Sequence, residues 1–146
     1  MFLGEYKHTV DEKGRMKMPA KFRDELGGRF VVTKGHEKCL YVYTAIEWEK
    51  ERAKIMSLPK SHPGSRQYSR HFFSGADTVE MDGQGRFLIP QPLREYADFT
   101  KDVVVVGVSD RAEIWDKTKW EEYCNGMDAL DCIDESLALK MAELGI

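Results

Sequence analysis

An aspartate and an arginine four residues apart, with a glycine just before the arginine, occur twice in this chain. The two sites are Asp11-Glu-Lys-Gly14-Arg15 and Asp82-Gly-Gln-Gly85-Arg86. A carboxylate at the first position can accept backbone N–H bonds of a turn, or hold the guanidinium by a charge-assisted bond. Glycine supplies the backbone reversal that such a turn needs. Arginine suits bidentate contact with a phosphate, or with guanine O6 and N7 in the major groove. Spacing alone leaves two uses open, a salt bridge that only fixes a hairpin and a hairpin that presents an arginine to DNA. The first site is the more basic, with Lys13, Lys17 and His8 around Arg15. The second has Gln84 and Leu88 at the matching positions, so Arg86 could be mainly structural. The DNA-binding candidates are therefore Arg15, Lys13, Lys17, Arg86 and His8. Asp11, Gly14, Asp82 and Gly85 are the residues expected to shape the hairpins.

Other chemistry is poorly supported. Cys39, Cys124 and Cys132 are odd in number and form no CxxC, so neither a disulfide framework nor a zinc knuckle is expected. His8, His36, His62 and His71 make no HxH or HExxH pattern. There is no glycine-rich phosphate loop and no nucleophile motif. Neither a catalytic role, nor a cofactor, nor a small-molecule substrate is expected.

The elements that must position these residues come from an internal repeat. Tyr6 to Pro19 matches Asp77 to Pro90 at an offset of 71, which also places Arg23 on Arg94. One inserted residue then shifts the offset to 72, with Val31-Val32 on Val103-Val104, Gly35 on Gly107 and Trp48 on Trp120. Two copies are too few for a solenoid or propeller and point to a tandem duplication. Each copy reads as strand, tight turn, strand, short helix, hairpin and helix. Pro19 and Pro90 suit a first helical turn. Thr44 to Glu47 and Thr118 to Glu121 fit capping boxes. Leu58-Pro59 and Pro63-Gly64 mark a linker, with a short helix expected from Arg66 to Phe73. Leu130, Ile133, Leu137, Met141 and Leu144 fall on one face of an amphipathic tail helix. The expected organisation is a first module with its helix at 1–56, a linker and short helix at 57–73, a second module at 74–125, and the tail at 126–146. The fold class is mainly β with flanking helices (α+β).

The net charge of −3 hides an asymmetry. Residues 1–72 carry 15 basic and 9 acidic side chains, and residues 73–146 carry 7 and 16. From Arg52 to Ala76 there are five Lys and Arg and no acid. Such a chain can present a basic face while staying acidic overall. No apolar run approaches the length of a membrane span, and the first residues lack the features of a signal peptide, so a cytoplasmic protein is expected.

The paired hairpins, Asp11 to Arg15 and Asp82 to Arg86, each followed by a strand and a proline, resemble the SpoVT-AbrB modules of DNA-binding proteins. Two copies in one chain of this length, with Phe72-Phe-Ser-Gly-Ala76 leading into the second, resemble the MraZ family. The resemblance covers roughly residues 1–125. It implies a swapped-hairpin barrel in which the copies act as an intrachain pseudo-dimer. It further implies ring-like homo-oligomers on double-stranded promoter DNA, nucleoid association, and repression of a division and cell-wall gene cluster. The competing reading is an antitoxin-like or scaffold protein that uses its acidic tail on a protein partner.

Overall fold

The computed structural model describes residues 1–126 and 135–146. It divides into two compact units, Met1–Asp116 and Lys117–Ile146. Both repeat copies contribute their strands to the first unit. There the elements run β1 (Glu5–Thr9), β2 (Arg15–Lys17), α1 (Ala20–Leu26), β3 (Arg29–Lys34), β4 (Leu40–Tyr43), α2 (Ala45–Met56) and α3 (Pro63–Ser74). The second copy follows with β5 (Asp77–Glu80), β6 (Arg86–Leu88), α4 (Gln91–Tyr96), β7 (Asp102–Gly107) and β8 (Ala112–Asp116). The second unit holds α5 (Lys117–Gly126) and α6 (Glu135–Glu143).

The strands form one six-stranded antiparallel sheet in the order β1-β7-β8-β4-β3-β5, and a separate two-stranded ribbon, β2-β6. The order shows that the copies exchange strands. β1 of the first copy pairs with β7 of the second, and β5 of the second pairs with β3 of the first. The pairing is symmetric about Tyr41 opposite Glu113 in the sheet and about Met16 opposite Phe87 in the ribbon. The two copies are therefore related by a pseudo-two-fold that passes through both.

This register corrects the sequence alignment at one place. Phe30 pairs with Val79, and Val103 pairs with His8, the repeat partner of Val79. Phe30 therefore corresponds to Val103, and Val32 to Val105, so two residues rather than one are inserted before β7. The cause is the period of two along a strand, because a one-residue slip would turn every core side chain to the opposite face. Matching valines in a run of valines could not reveal this. Phe30, Val32, Val103 and Val105 all lie in the core.

The core sits between the sheet and a layer made of α1, α4 and the ribbon. Phe22 and Leu26 of α1, Leu93 of α4, and Met16 and Phe87 of the ribbon all face it. Phe2 is fully buried against Phe22, with ring centroids 5.0 Å apart and planes at 88°. Edge-to-face packing of this kind adds to the burial itself. The opposite face of β3 and β4 is also covered. Phe72 of α3 lies over Tyr43, stacks on Trp48 of α2, and its carbonyl accepts a 2.6 Å hydrogen bond from buried Thr33. That double coverage explains why β4 reads as Leu-Tyr-Val-Tyr without a polar position.

Several helix starts differ from expectation. Pro19 and Pro90 stand one residue before α1 and α4, as caps with extended backbone, and not in the first turn. Pro63 does not end a segment but opens α3, with the His62 Nδ1 accepting from the Gly64 N–H at 3.0 Å. Proline fits there because the first helical N–H has no intrahelical partner. Thr44 caps α2 as expected, accepting from Glu47 N–H at 3.1 Å. Thr118, in contrast, lies inside α5, which begins at Lys117. In the tail, Leu137 and Met141 lie on α6, whereas Leu130 and Ile133 fall outside the described residues, as does Cys132.

Strand exchange has a direct consequence. A fragment of residues 1–76 lacks β7, so its β1 has no pairing partner in the sheet. We expect this fragment to be unfolded as a monomer, or to fold only by pairing with a second fragment. Circular dichroism with sedimentation would decide, and a folded monomeric fragment would contradict the exchange.

Candidate nucleic-acid interface

The two hairpins have nearly the same geometry. Asp11 Oδ1 accepts from the Lys13 and Arg15 amides, both at 2.9 Å, and Oδ2 accepts from Arg15 Nε at 3.2 Å. Asp82 Oδ1 accepts from the Gln84 and Arg86 amides at 2.8 and 2.9 Å, and Oδ2 from Arg86 Nε at 3.1 Å. Each aspartate thus does both jobs that its spacing allowed. One oxygen closes the turn and the other orients the guanidinium. The Arg15 amide lowers the Asp11 pKa most, and the Arg86 amide does the same for Asp82. A depressed carboxylate pKa keeps these bonds intact at neutral pH and weakens them only on acidification below the usual carboxylate range. Only Nε of each arginine is bound to its aspartate, and Arg15 and Arg86 keep side-chain exposures of 41% and 38%. The salt bridge therefore leaves terminal guanidinium nitrogens on the surface, and the structural and presenting roles are compatible.

Ribbon alternation sorts the other candidates. Met16 and Phe87 face each other and are each 2% exposed. Phe87 also meets Phe30 edge-on at 5.1 Å. Their neighbours must point outward, so Arg15, Lys17, Arg86 and Leu88 form one outer face. Arg15 lies opposite Leu88, and Lys17 lies opposite Arg86. This changes the expected charge balance. Lys17 shares a strand face with Arg15, yet its cross-strand neighbour is the arginine of the other copy. The second hairpin, poor in basic residues by sequence, receives its lysine from the first.

His8, Thr9, Asp11, Arg15, Met16, Lys17 and Arg86 line a single shallow cleft beside the ribbon. The structure therefore brings together His8, Arg15, Lys17 and Arg86. Lys13 stands apart on the exposed turn and does not line this cleft. Partial burial lowers the His8 pKa, assisted by Arg23 and Lys17. This shift favours the neutral form of His8, a hydrogen-bonding ring, over the charged one.

Two arginines escaped the sequence reading as site residues, Arg23 on α1 and Arg94 on α4. Their Nε atoms donate to Met18 O and Ile89 O at 2.8 and 2.9 Å. The guanidiniums then cross between copies. A Cβ placed on Gly14 would lie 2.5 Å from Arg94 Cζ, and one on Gly85 would lie 2.2 Å from Arg23 Nε. Gly14 and Gly85 also have φ of +85° and +79°. Glycine is thus required twice over, for its backbone conformation and for the arginine laid against it. Backbone bonds reinforce the crossing, with Met18 N–H donating to Gly85 O and Ile89 N–H to Gly14 O, both at 2.9 Å. The available signal was the repeat itself, which keeps Arg23 and Arg94 at the offset of the two hairpins.

Fold and site together define a class, a duplicated small β module whose two copies build one basic ribbon between them. The chain belongs to the MraZ family. The family model described as "MraZ protein, putative antitoxin-like" matches twice, over residues 1–71 and 72–138. A protein of Acetivibrio thermocellus named transcriptional regulator MraZ is 53% identical over 146 residues, the full length of both chains. Proteins of the same name from Moorella thermoacetica and Thermoanaerobacter pseudethanolicus are 51% and 49% identical, again over the full length of both chains. The boundary between the two family matches coincides with the repeat offset.

The crossing of the arginines yields a crossed prediction. Arg94→Ala should speed amide hydrogen exchange in the Asp11–Arg15 turn, and Arg23→Ala should do so in the Asp82–Arg86 turn. An effect confined to the hairpin of the same copy would contradict the reciprocal packing.

Proposed function

We propose that the chain is a transcription regulator that binds double-stranded DNA through the outer face of the β2–β6 ribbon. The observation that carries this reading is the convergence of Arg15, Lys17 and Arg86, from both copies, on one exposed strand face. A two-stranded ribbon fits the major groove, and arginines held by a second group meet base edges or phosphates at low entropic cost. The relatives' name, transcriptional regulator, supports the same reading. The two hairpins complete a barrel in this view, with the ribbon bridging the ends of the six-stranded sheet. His8 and Lys13 are flanking contacts, and Asp11, Gly14, Asp82 and Gly85 shape the reader.

One ribbon meets only a few base pairs, and each good base contact discriminates by about 1–3 kcal/mol. Effective regulation therefore calls for several ribbons in a homo-oligomer, closed into a ring and engaging repeated promoter boxes. Linked contacts can raise affinity by roughly 10²–10⁴. The proposed outcome is repression of a division and cell-wall gene cluster by a nucleoid-associated, cytoplasmic protein. Among the described residues, no helix is long and apolar enough to cross a membrane, and no group of His, Cys, Asp and Glu could hold a metal. The proposed role is binding rather than catalysis.

Arg15→Ala and Arg86→Ala should each weaken binding to the protein's own upstream DNA by about tenfold or more per engaged ribbon, at unchanged fold. Their matched geometry predicts losses of similar size. Lys17→Gln should reduce the slope of log affinity against log salt by about one per engaged chain, and His8→Gln should leave the slope unchanged. Gel shifts across a salt series, with melting curves, check all four. Unaltered affinity in folded Arg15→Ala and Arg86→Ala proteins would refute the DNA-reading ribbon. It would place the DNA on another surface of the chain, whereas no binding of the wild-type protein to the duplex would favour a protein partner, the antitoxin-like alternative.

A further inference from the structure

The ribbon face carries one residue that charge does not explain. Leu88 lies among Arg15, Lys17 and Arg86 and is 52% exposed. The pseudo-two-fold maps Lys17 onto it, so the two ends of the ribbon differ in kind. At one end Arg86 faces a lysine, and at the other Arg15 faces a leucine. The buried side of β6 is already filled by Phe87. Leu88 projects from the opposite side, so it does not share in that core. An exposed leucine on a basic strand face gains most where its partner is apolar and close to the arginine's own target. Among base edges in the major groove, the apolar feature is the C5-methyl of thymine.

Resting on the proposed DNA-binding role, we infer that Leu88 is a specificity-determining residue that packs on a thymine methyl next to the base met by Arg15. The spacing suits this. Directly opposed residues of an antiparallel pair stand about 5 Å apart at Cβ, and successive base pairs about 3.4 Å apart along the axis. Arg15 and Leu88 can therefore meet neighbouring base pairs, one by hydrogen bonds and one by van der Waals contact. The Lys17–Arg86 end lacks an apolar member and reads without methyl dependence. The ribbon is thus polar in sequence preference although its fold is pseudo-symmetric. That gives a single chain a defined direction on an asymmetric DNA box.

The test removes one methyl group at a time. Full-length protein is titrated against its upstream duplex, with each thymine of a box replaced singly by deoxyuridine. The wild-type protein should lose about three- to fivefold in affinity at one thymine position per box, the equivalent of one buried methyl group. Leu88→Ala should bind the unmodified duplex more weakly and be indifferent to deoxyuridine at that position. Leu88→Lys, which copies the exposed residue of the other repeat, should also be methyl-blind. Wild-type binding that ignores every deoxyuridine would overturn the assignment while leaving salt-dependent DNA binding in place. So would a Leu88→Ala protein that keeps the full deoxyuridine penalty. A change in solution mass on Leu88→Ala, with that penalty unchanged, would instead place Leu88 between copies of the chain. Absence of any binding to the duplex would remove both this inference and the function on which it rests.

Discussion

The outer face of the ribbon exists because its inner face is anchored. Met16 and Phe87 meet across the β2–β6 pair, and Phe87 packs on Phe30 of the sheet. Each side chain buried in this way contributes about 1.5–3 kcal/mol. Strand alternation then leaves Arg15, Lys17, Arg86 and Leu88 no direction but outward. A two-stranded pair of three residues each is marginal in isolation. Here it is held by the shared core beneath it and by the backbone bonds from Met18 to Gly85 and from Ile89 to Gly14. Neither copy can build this surface alone, because each supplies one strand of it.

The same division of labour runs through the site. Each aspartate shapes its own turn, whereas each turn glycine accommodates an arginine from the other copy. Disturbance of one module therefore reaches the hairpin of its partner. Cross-bracing of this kind favours rigidity, and rigid placement of arginines is what selective contact with a groove requires. Duplication within one chain also lets the two ends of a pseudo-symmetric ribbon diverge. A homodimer of single modules would carry the same residue at both ends. The pairing of Lys17 with Arg86 and of Leu88 with Arg15 is open only to a fused pair.

Much of this was legible in the sequence, for identifiable reasons. The Asp-x-x-Gly-Arg spacing determined the turn, the carboxylate bonds and the positive-φ glycines, because these are local effects within five residues. Thr44 was legible as a cap on the same ground, and Pro19 and Pro90 marked the helix boundaries, though each stands one residue before its helix and not in the first turn. The exchange of strands could not be read from periodicity, since β1 looks identical whether it pairs within its copy or across copies. It entered only through resemblance to a family. The crossing of Arg23 and Arg94, and the transfer of Lys17 to Arg86, depend on that exchange and were hidden with it. The β7 register was hidden for a different reason, because Val103 to Val106 offers no side-chain landmark. Pro63 was read as a breaker because a proline stops or starts a helix according to which side the chain folds on.

The chain holds a second basic region, from Arg52 to Arg70 on α2 and α3, that by charge alone competes with the ribbon for DNA. Hydrogen–deuterium exchange of the full-length protein, with and without its upstream duplex, separates the two directly. The ribbon account predicts that protection on binding concentrates in peptides spanning Asp11–Met18 and Asp82–Ile89, from both copies together. Protection centred on α2 and α3, or confined to the hairpin of one copy, would contradict it.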